Sequence, residues 1–248
     1  MLLCAVALTA CEKNAVQDIT GALPGAKVKF FNFGLNAPQV NFYANDAKVS
    51  AISSTTATES TTGTAYGAAG LAGLYSALTP GQYTFTGRIA ATVDKDVPIA
   101  TIPATLVDGK SYSVYMSGVY NTTTKTVEGF VVEDDFSPTT DYSVATVRFV
   151  NAIANANPLV LSGVETTTAA EVTIGGAVPY KSAGAFTTVV PGTYDLRARY
   201  VGATTNAIAR TAVVFSGGRV YTITARGDIT VTSTTATNRP FLDNTANR

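Results

Sequence analysis

Three short sequence patterns each occur twice, in the same order, in this chain of 248 residues. The first copies are residues 28–32 (VKFFN), 80–83 (PGQY) and 109–114 (GKSYSV), and the second copies are 147–151 (VRFVN), 191–194 (PGTY) and 218–223 (GRVYTI). An ordered repeat of this length indicates a tandem duplication. Each copy is therefore expected to fold into the same unit, and the acidic, Pro-containing stretch 133–141 is expected to separate the two units.

Each copy has the pattern of β-strands. Pro80-Gly81 and Pro191-Gly192 fit the centre of a type II turn, and after Tyr83 and after Tyr194 apolar and polar residues alternate. No window has the periodicity of an amphipathic helix. The sequence therefore predicts an all-β protein of two tandem Ig-like antiparallel β-sandwich domains.

The expected organisation follows the chain from its first residue. It consists of a signal peptide at 1–10, a lipid-anchored tether at 11–25, a first sandwich at 26–135, a linker at 136–144, a second sandwich at 145–231 and a flexible tail at 232–248. A Ser-, Thr-, Ala- and Gly-rich insert at 53–73 is expected to be a plain loop.

The first eleven residues predict the compartment. Leu8, Thr9, Ala10 and Cys11 follow a short apolar run and are similar to the bacterial lipobox, in which the cysteine is lipidated after cleavage. That similarity predicts a membrane anchor through acyl chains on Cys11, and an outer-membrane lipoprotein that faces the periplasm or the cell surface. A positively charged start is missing, which a start codon assigned too far downstream would explain. The alternative is a chance cysteine at the end of a buried segment.

The composition excludes several classes of function. The chain has no His and no Trp, which excludes a Ser-His-Asp triad and a His-ligated zinc ion. Its 17 basic residues balance its 17 acidic residues, so no nucleic-acid partner is predicted. Cys4 would leave with the signal peptide and Cys11 would carry lipid, so no disulfide is expected. No cofactor is predicted.

The repeated patterns resemble the bacterial family called domain of unknown function 4397. Its opening V-[KR]-F-x-[NH] strand, its P-G-x-Y strand and its closing G-[KR]-x-Y-[ST]-[VI] strand all occur here twice, over residues 26–135 and 144–231. The resemblance implies small extracytoplasmic β-sandwich domains, often in tandem and often on lipoproteins. It implies no activity and no catalytic residues.

Two further features are candidates for chemistry. Glu133, Asp134 and Asp135 form an acidic run that is a weak candidate for calcium, although a solvated linker is the favoured interpretation. Tyr112, Tyr115 and Tyr120 lie around one predicted strand but do not share one face, so packing is favoured over a sugar platform.

These observations favour a non-catalytic, lipid-anchored envelope protein that binds or displays an unknown protein or glycan. The alternatives are a carbohydrate-binding surface lipoprotein that assists glycan uptake and, less favoured, a hydrolase that uses paired carboxylates. The turn residues Pro80, Gly81, Tyr83, Pro191, Gly192 and Tyr194 are expected to have structural roles.

Overall fold

A computed structural model describes residues 25–49, 62–136 and 140–248, which form two β-sandwiches in succession along the chain. The predicted signal peptide, nearly all of the predicted tether, the first part of the insert and residues 137–139 lie outside the described residues.

The first sandwich contains nine strands in two sheets. One sheet has the order β4-β1-β8-β9 with β5 also paired to β1, and the other has the order β3-β2-β6-β7. The strands are β1 (Ala26–Leu35), β2 (Val40–Ala44), β3 (Ala47–Lys48), β4 (Ala68–Ala69), β5 (Ser76–Leu78), β6 (Gly81–Ile89), β7 (Pro98–Leu106), β8 (Ser111–Asn121) and β9 (Thr126–Glu133).

The second sandwich has the same arrangement. Its sheets have the orders β13-β10-β17-β18, with β14 also paired to β10, and β12-β11-β15-β16. The strands are β10 (Ala145–Asn151), β11 (Leu159–Glu165), β12 (Glu171–Val178), β13 (Ser182–Ala183), β14 (Thr187–Val189), β15 (Gly192–Tyr200), β16 (Ile208–Phe215), β17 (Val220–Arg226) and β18 (Phe241–Ala246).

The predicted all-β sandwich fold is confirmed, with one correction to the antiparallel pairing. β1 runs parallel to β8, and β10 runs parallel to β17. A parallel pair needs a crossover connection, and here the chain passes through the other sheet of the sandwich between the two strands.

Each sandwich has its own core between its two sheets. The alternation after the Pro-Gly pairs places Phe85 and Ile89 in the first core, and Tyr194, Leu196 and Ala198 in the second. Gly81 has a φ of 149°, which a glycine adopts without strain. The Pro-Gly pairs stand at the beginnings of β6 and β15, but Gly192 does not have the positive φ that the predicted type II turn requires.

Several local predictions were wrong. The flexible tail expected at 232–248 contains β18, which pairs along its length with β17 and buries Leu242. The described part of the insert contains β4 and a 3₁₀ turn at Gly70–Gly73, so it is not a plain loop. Gly175-Gly176 lies within β12, where the pairing with β11 shifts register. Gly175 has a φ of 70°, as expected for a glycine at a bulge.

Candidate functional site

The repeated motif residues form the same hydrogen bonds in both sandwiches. The hydroxyl of Tyr83 donates to the Thr79 carbonyl at 2.9 Å, and that of Tyr194 donates to the Val190 carbonyl at 2.7 Å. In each case the tyrosine hydroxyl bonds back across its own Pro-Gly pair to the residue that precedes the proline. These motif residues are thus used in folding each sandwich.

The asparagines that end the opening motif also have matching roles. The Asn32 side chain donates to the Thr64 carbonyl at 2.9 Å and accepts from the Gly34 amide at 3.3 Å. The Asn151 side chain donates to the Val178 carbonyl at 3.1 Å and accepts from the Ile153 amide at 3.0 Å. Both asparagines are fully buried, and each satisfies backbone groups of neighbouring segments.

A third apolar cluster joins the two sandwiches, and we call it the sandwich interface. Tyr115 stacks on Phe31 and on Phe130, with ring centroids 4.7 and 5.0 Å apart. Its buried members are Phe31, Phe33, Tyr115, Phe130, Val150 and Ala152. The inner sheet of each sandwich is therefore buried on both faces, which explains why β1 is apolar at nearly every position.

A buried ion pair lies beside the sandwich interface. Arg148 of β10 contacts Asp134, which follows β9, and the two side chains are 2% and 0% exposed. Asp134 also accepts hydrogen bonds from the Tyr75 hydroxyl at 2.6 Å and from the Ser113 hydroxyl at 2.8 Å. Arg148 additionally donates to the Glu133 carbonyl at 2.8 Å. The charges of both groups are thus satisfied inside the protein.

Lys29 occupies the position in β1 that Arg148 occupies in β10. The Lys29 side chain bonds to the second sandwich, whereas the Arg148 side chain bonds to the first. Its ammonium group donates to the Ala246 carbonyl at 2.6 Å and lies 4.2 Å from the centre of the Tyr75 ring. Asn247, which follows β18 as Asp134 follows β9, lies 3.4 Å from the same ammonium group. Burial is the main cause that lowers the pKa of Lys29 to about 8. Each sandwich therefore inserts one cation into the other.

A second polar contact lies on another side of the sandwich interface. Arg226 of β17 pairs with Asp243 of β18, and its guanidinium lies 5.8 Å from the Phe33 ring and 5.1 Å from the Tyr66 ring. Tyr66 belongs to the described part of the insert, so the insert of the first sandwich contacts the second sandwich. Burial raises the pKa of the Asp243 carboxyl, while Arg226 opposes that shift.

An open cleft of about 640 Å³ lies at the far end of the second sandwich, between β16 and the chain that leads into β18. Its polar lining consists of Arg210 and Arg239 and the hydroxyls of Thr211, Thr232, Ser233 and Thr234. Both guanidiniums lie against the Phe241 ring, at 5.2 and 5.3 Å from its centre.

The residues predicted from sequence fall into three places. The lipobox residues Leu8, Thr9, Ala10 and Cys11 lie outside the described residues. The six turn residues begin β6 and β15. In the acidic run, Glu133 pairs with Lys110 at 2.7 Å, Asp134 pairs with Arg148, and Asp135 is exposed.

The described residues contain neither a cluster of metal-binding side chains nor a helix that could span a membrane. Among residues 25–49, 62–136 and 140–248, no three or more Asp, Glu, His or Cys side chains are grouped so that they could hold a metal ion. In the same residues, no helix has the length and apolar character needed to cross a membrane.

Sequence reasoning missed the charged groups of the interface and of the cleft. Lys29 and Arg148 offered a signal, because each is a cation inside an otherwise apolar strand and must find a partner when that strand is buried. Arg210, Arg239 and Phe241 gave no such signal, since Arg210 is distant in sequence from the other two, which fall in the predicted flexible tail.

Fold and site together define an all-β protein of two sandwiches joined through a buried, partly charged interface. The model of the family described as Domain of unknown function (DUF4397) matches residues 26–162, which is more than half of the chain. The chain belongs to this family. The match covers the first sandwich, β10 and the first part of β11. No curated protein matches the chain.

Proposed function

We propose that this protein is a non-catalytic, lipid-anchored module of the bacterial cell envelope, built from two copies of the family domain and held to the membrane by acyl chains on Cys11. The duplication is supported by the identical sheet orders of the two halves and by the matching bonds of Tyr83 and Tyr194. The lipobox sequence supports the anchor.

The observation that carries a scaffold role is the reciprocal insertion of Lys29 and Arg148. Each copy places its motif cation against the other copy, so the two domains hold one fixed relative position. A rigid pair of sandwiches on a tether presents its outer loops and edges to partners. It binds or displays a protein or glycan outside the cytoplasm, at the periplasmic or surface side of the outer membrane.

The carboxylates support a non-catalytic role. A hydrolase of the paired-carboxylate type needs a general acid with a raised pKa. Hydrogen bonds instead lower the pKa of Glu128, Glu165 and Glu171 below its usual range. Asp243 has a raised pKa, but its carboxylate is paired with Arg226.

The anchor is tested by metabolic labelling with an alkyne fatty acid in bacteria that express the protein from its own gene. The Cys11→Ala variant is expected to lose both the label and its place in the membrane fraction. Cys4→Ala is the matched control, because Cys4 is removed with the signal, and it should stay labelled. Labelled Cys11→Ala protein, or unlabelled wild-type protein, would overturn the assignment.

The second candidate function, recognition of carbohydrate, is supported by the arginine- and hydroxyl-lined cleft between β16 and β18.

A further inference from the structure

The last two strands of each sandwich, β8–β9 and β17–β18, are joined by connections of very different length. In the first sandwich, residues 122–125 join β8 to β9. In the second, residues 227–240 make the equivalent connection between β17 and β18. Long ordered loops that one copy of a duplicated fold has and the other lacks are frequent sites of function.

This loop is held in a fixed shape by its own bonds. The Asp228 amide donates to the Asn238 carbonyl at 2.9 Å, which closes the base of the loop. The Asp228 carboxylate accepts from the Thr230 hydroxyl at 2.6 Å and from the Asn155 side chain at 2.7 Å. Gly227 has a φ of 111°, and a Cβ there would lie 2.2 Å from the Arg239 carbonyl. The loop is therefore a closed Ω-type loop that is shaped before any ligand binds.

The cleft beside this loop carries an excess of positive charge. Its lining contains Arg210 and Arg239 and no carboxylate. Within the part of the chain that the structure describes, neither arginine has an acidic side chain within ion-pair distance. Among the described residues, each side chain donates a single hydrogen bond, Arg210 to the Leu242 carbonyl at 2.6 Å and Arg239 to the Ala236 carbonyl at 3.1 Å. Asp243 attracts Arg210 electrostatically, but it is paired with Arg226.

The two guanidiniums are positioned for a ligand. Both lie against the Phe241 ring, as does Arg226, which is paired with Asp243, so the ring holds the two unpaired guanidiniums in one region. A guanidinium has five N–H donors in a planar fork that matches a carboxylate, and most of these donors remain unused here. The two arginines thus form a pair of preorganised anion-binding forks.

The rest of the lining identifies the class of ligand. Thr211, Thr232, Ser233 and Thr234 are exposed and bring four hydroxyls to the cleft. A hydroxyl both donates and accepts hydrogen bonds, as sugar hydroxyls do. A free phosphate would satisfy the arginines and leave this row of hydroxyls unused, whereas an acidic sugar chain would use both.

We propose that the cleft formed by Arg210, Arg239, Phe241 and the 232–234 hydroxyls binds an acidic oligosaccharide, a chain of sugars that carry carboxylate groups. This inference rests on the proposed function and names the ligand class of its binding role. The cleft volume of about 640 Å³ is in the usual range for ligand sites.

The test is isothermal titration calorimetry of the mature two-sandwich protein with an oligogalacturonate. The same oligosaccharide with its carboxylates methyl-esterified is the matched ligand, because only its charge is removed. We expect binding of the acidic form, no measurable binding of the ester, and about tenfold weaker binding for Arg210→Gln or Arg239→Gln, as a charge-assisted bond contributes.

Arg219→Gln is the matched protein control, since Arg219 is exposed and stands outside the cleft. It removes the same charge from the protein and should leave the affinity unchanged. Thermal unfolding followed by circular dichroism identifies a variant that folds poorly. If Arg210→Gln folds poorly, Arg239→Gln gives the answer, because Arg239 is bonded only within its own loop.

Four results would overturn the inference: no binding of the oligogalacturonate, equal binding of the ester, equal loss in Arg219→Gln, or complete displacement by inorganic phosphate at the same affinity. None of them bears on the label at Cys11. If a normally lipidated protein does not bind the oligogalacturonate, only the ligand class is refuted. If the label is lost, only the lipid anchor at Cys11 is refuted.

Discussion

Lys29 and Arg148 stand in the middle of largely apolar strands, and each takes a carbonyl or carboxylate partner from the other sandwich. An isolated first sandwich would expose the Lys29 side of β1, and a lysine would be well tolerated there. In the two-sandwich protein the same side is covered, and Lys29 is 2% exposed. Its ammonium group depends on the Ala246 carbonyl and the Tyr75 ring for stabilisation, and both lie beside the interface.

The lowered pKa of Lys29 makes a prediction for the pH dependence of stability. Below pH 8 both the folded and the unfolded chain bind this proton, so the full free-energy cost of burying the charge is present. Between pH 8 and 10.5 the folded protein releases the proton while the unfolded chain retains it, so the free energy of unfolding rises with pH.

Lys29→Met removes this titration. The free energy of unfolding of the wild type, measured relative to Lys29→Met in urea, should therefore rise by roughly 3 kcal/mol from pH 7.5 to pH 10.5. Lys27→Met, which replaces a partly exposed lysine of the same strand, is the control for loss of a lysine from β1. A flat difference for Lys29→Met would contradict the burial of a charged group.

At the scale of elements, the strands with clear alternation were predicted well, and those without it were missed. β6, β8, β15 and β17 contribute buried residues to the two cores and carry the second and third repeated motifs. The sequence of β18 is Phe241-Leu-Asp-Asn-Thr-Ala246, and its polar residues obscure the apolar–polar alternation of a strand. Asp243 is accommodated in the strand because it pairs with Arg226. No propensity rule indicates that partner, which comes from the neighbouring strand of the folded sheet.

The contact between β7 and β9 closes one side of the first sandwich, and it depends on a glycine. A Cβ at Gly129 would lie 2.2 Å from Cδ1 of Ile102 and 2.8 Å from the Tyr115 carbonyl oxygen. Gly129→Ala is therefore expected to lower the free energy of unfolding by about 1–3 kcal/mol, although Ala normally stabilises a strand relative to Gly.

Gly176→Ala is the matched control, because a Cβ at Gly176 meets nothing within 4 Å. It should change stability by less than about 0.5 kcal/mol in urea unfolding. Ile102→Val removes the nearest atom and should recover part of the loss in Gly129→Ala. If Gly129→Ala is as stable as Gly176→Ala, the two strands do not approach so closely.

At the scale of the whole molecule, the sequence predicted two domains but not that they share a buried interface. The alternation along β8 correctly placed Tyr112 and Tyr115 on opposite faces. Tyr112 lies in the core of the first sandwich, and Tyr115 lies in the sandwich interface. A strand pattern tells which residues face away from one core, but not whether solvent or a second domain covers them.

The shared interface predicts that the two sandwiches lose stability together. Val150 is fully buried in the interface cluster, not in the core of the second sandwich. Val150→Asp would place an unpaired carboxylate against Phe31 and Tyr115, and this is costly enough to separate the faces. Loss of stability should therefore also appear in the first sandwich, although the substituted residue lies in the second.

Hydrogen exchange followed by mass spectrometry measures this effect. In Val150→Asp, the amides of β1 and β8 should exchange at least about tenfold faster than in the wild type, because their outer face becomes exposed. Val214→Asp is the control, since Val214 is 56% exposed on β16, and it should leave β1 and β8 protected. Unchanged protection of β1 and β8 in Val150→Asp would mean that the first sandwich is stable alone. In that case the reciprocal cations Lys29 and Arg148 would orient the domains without stabilising them.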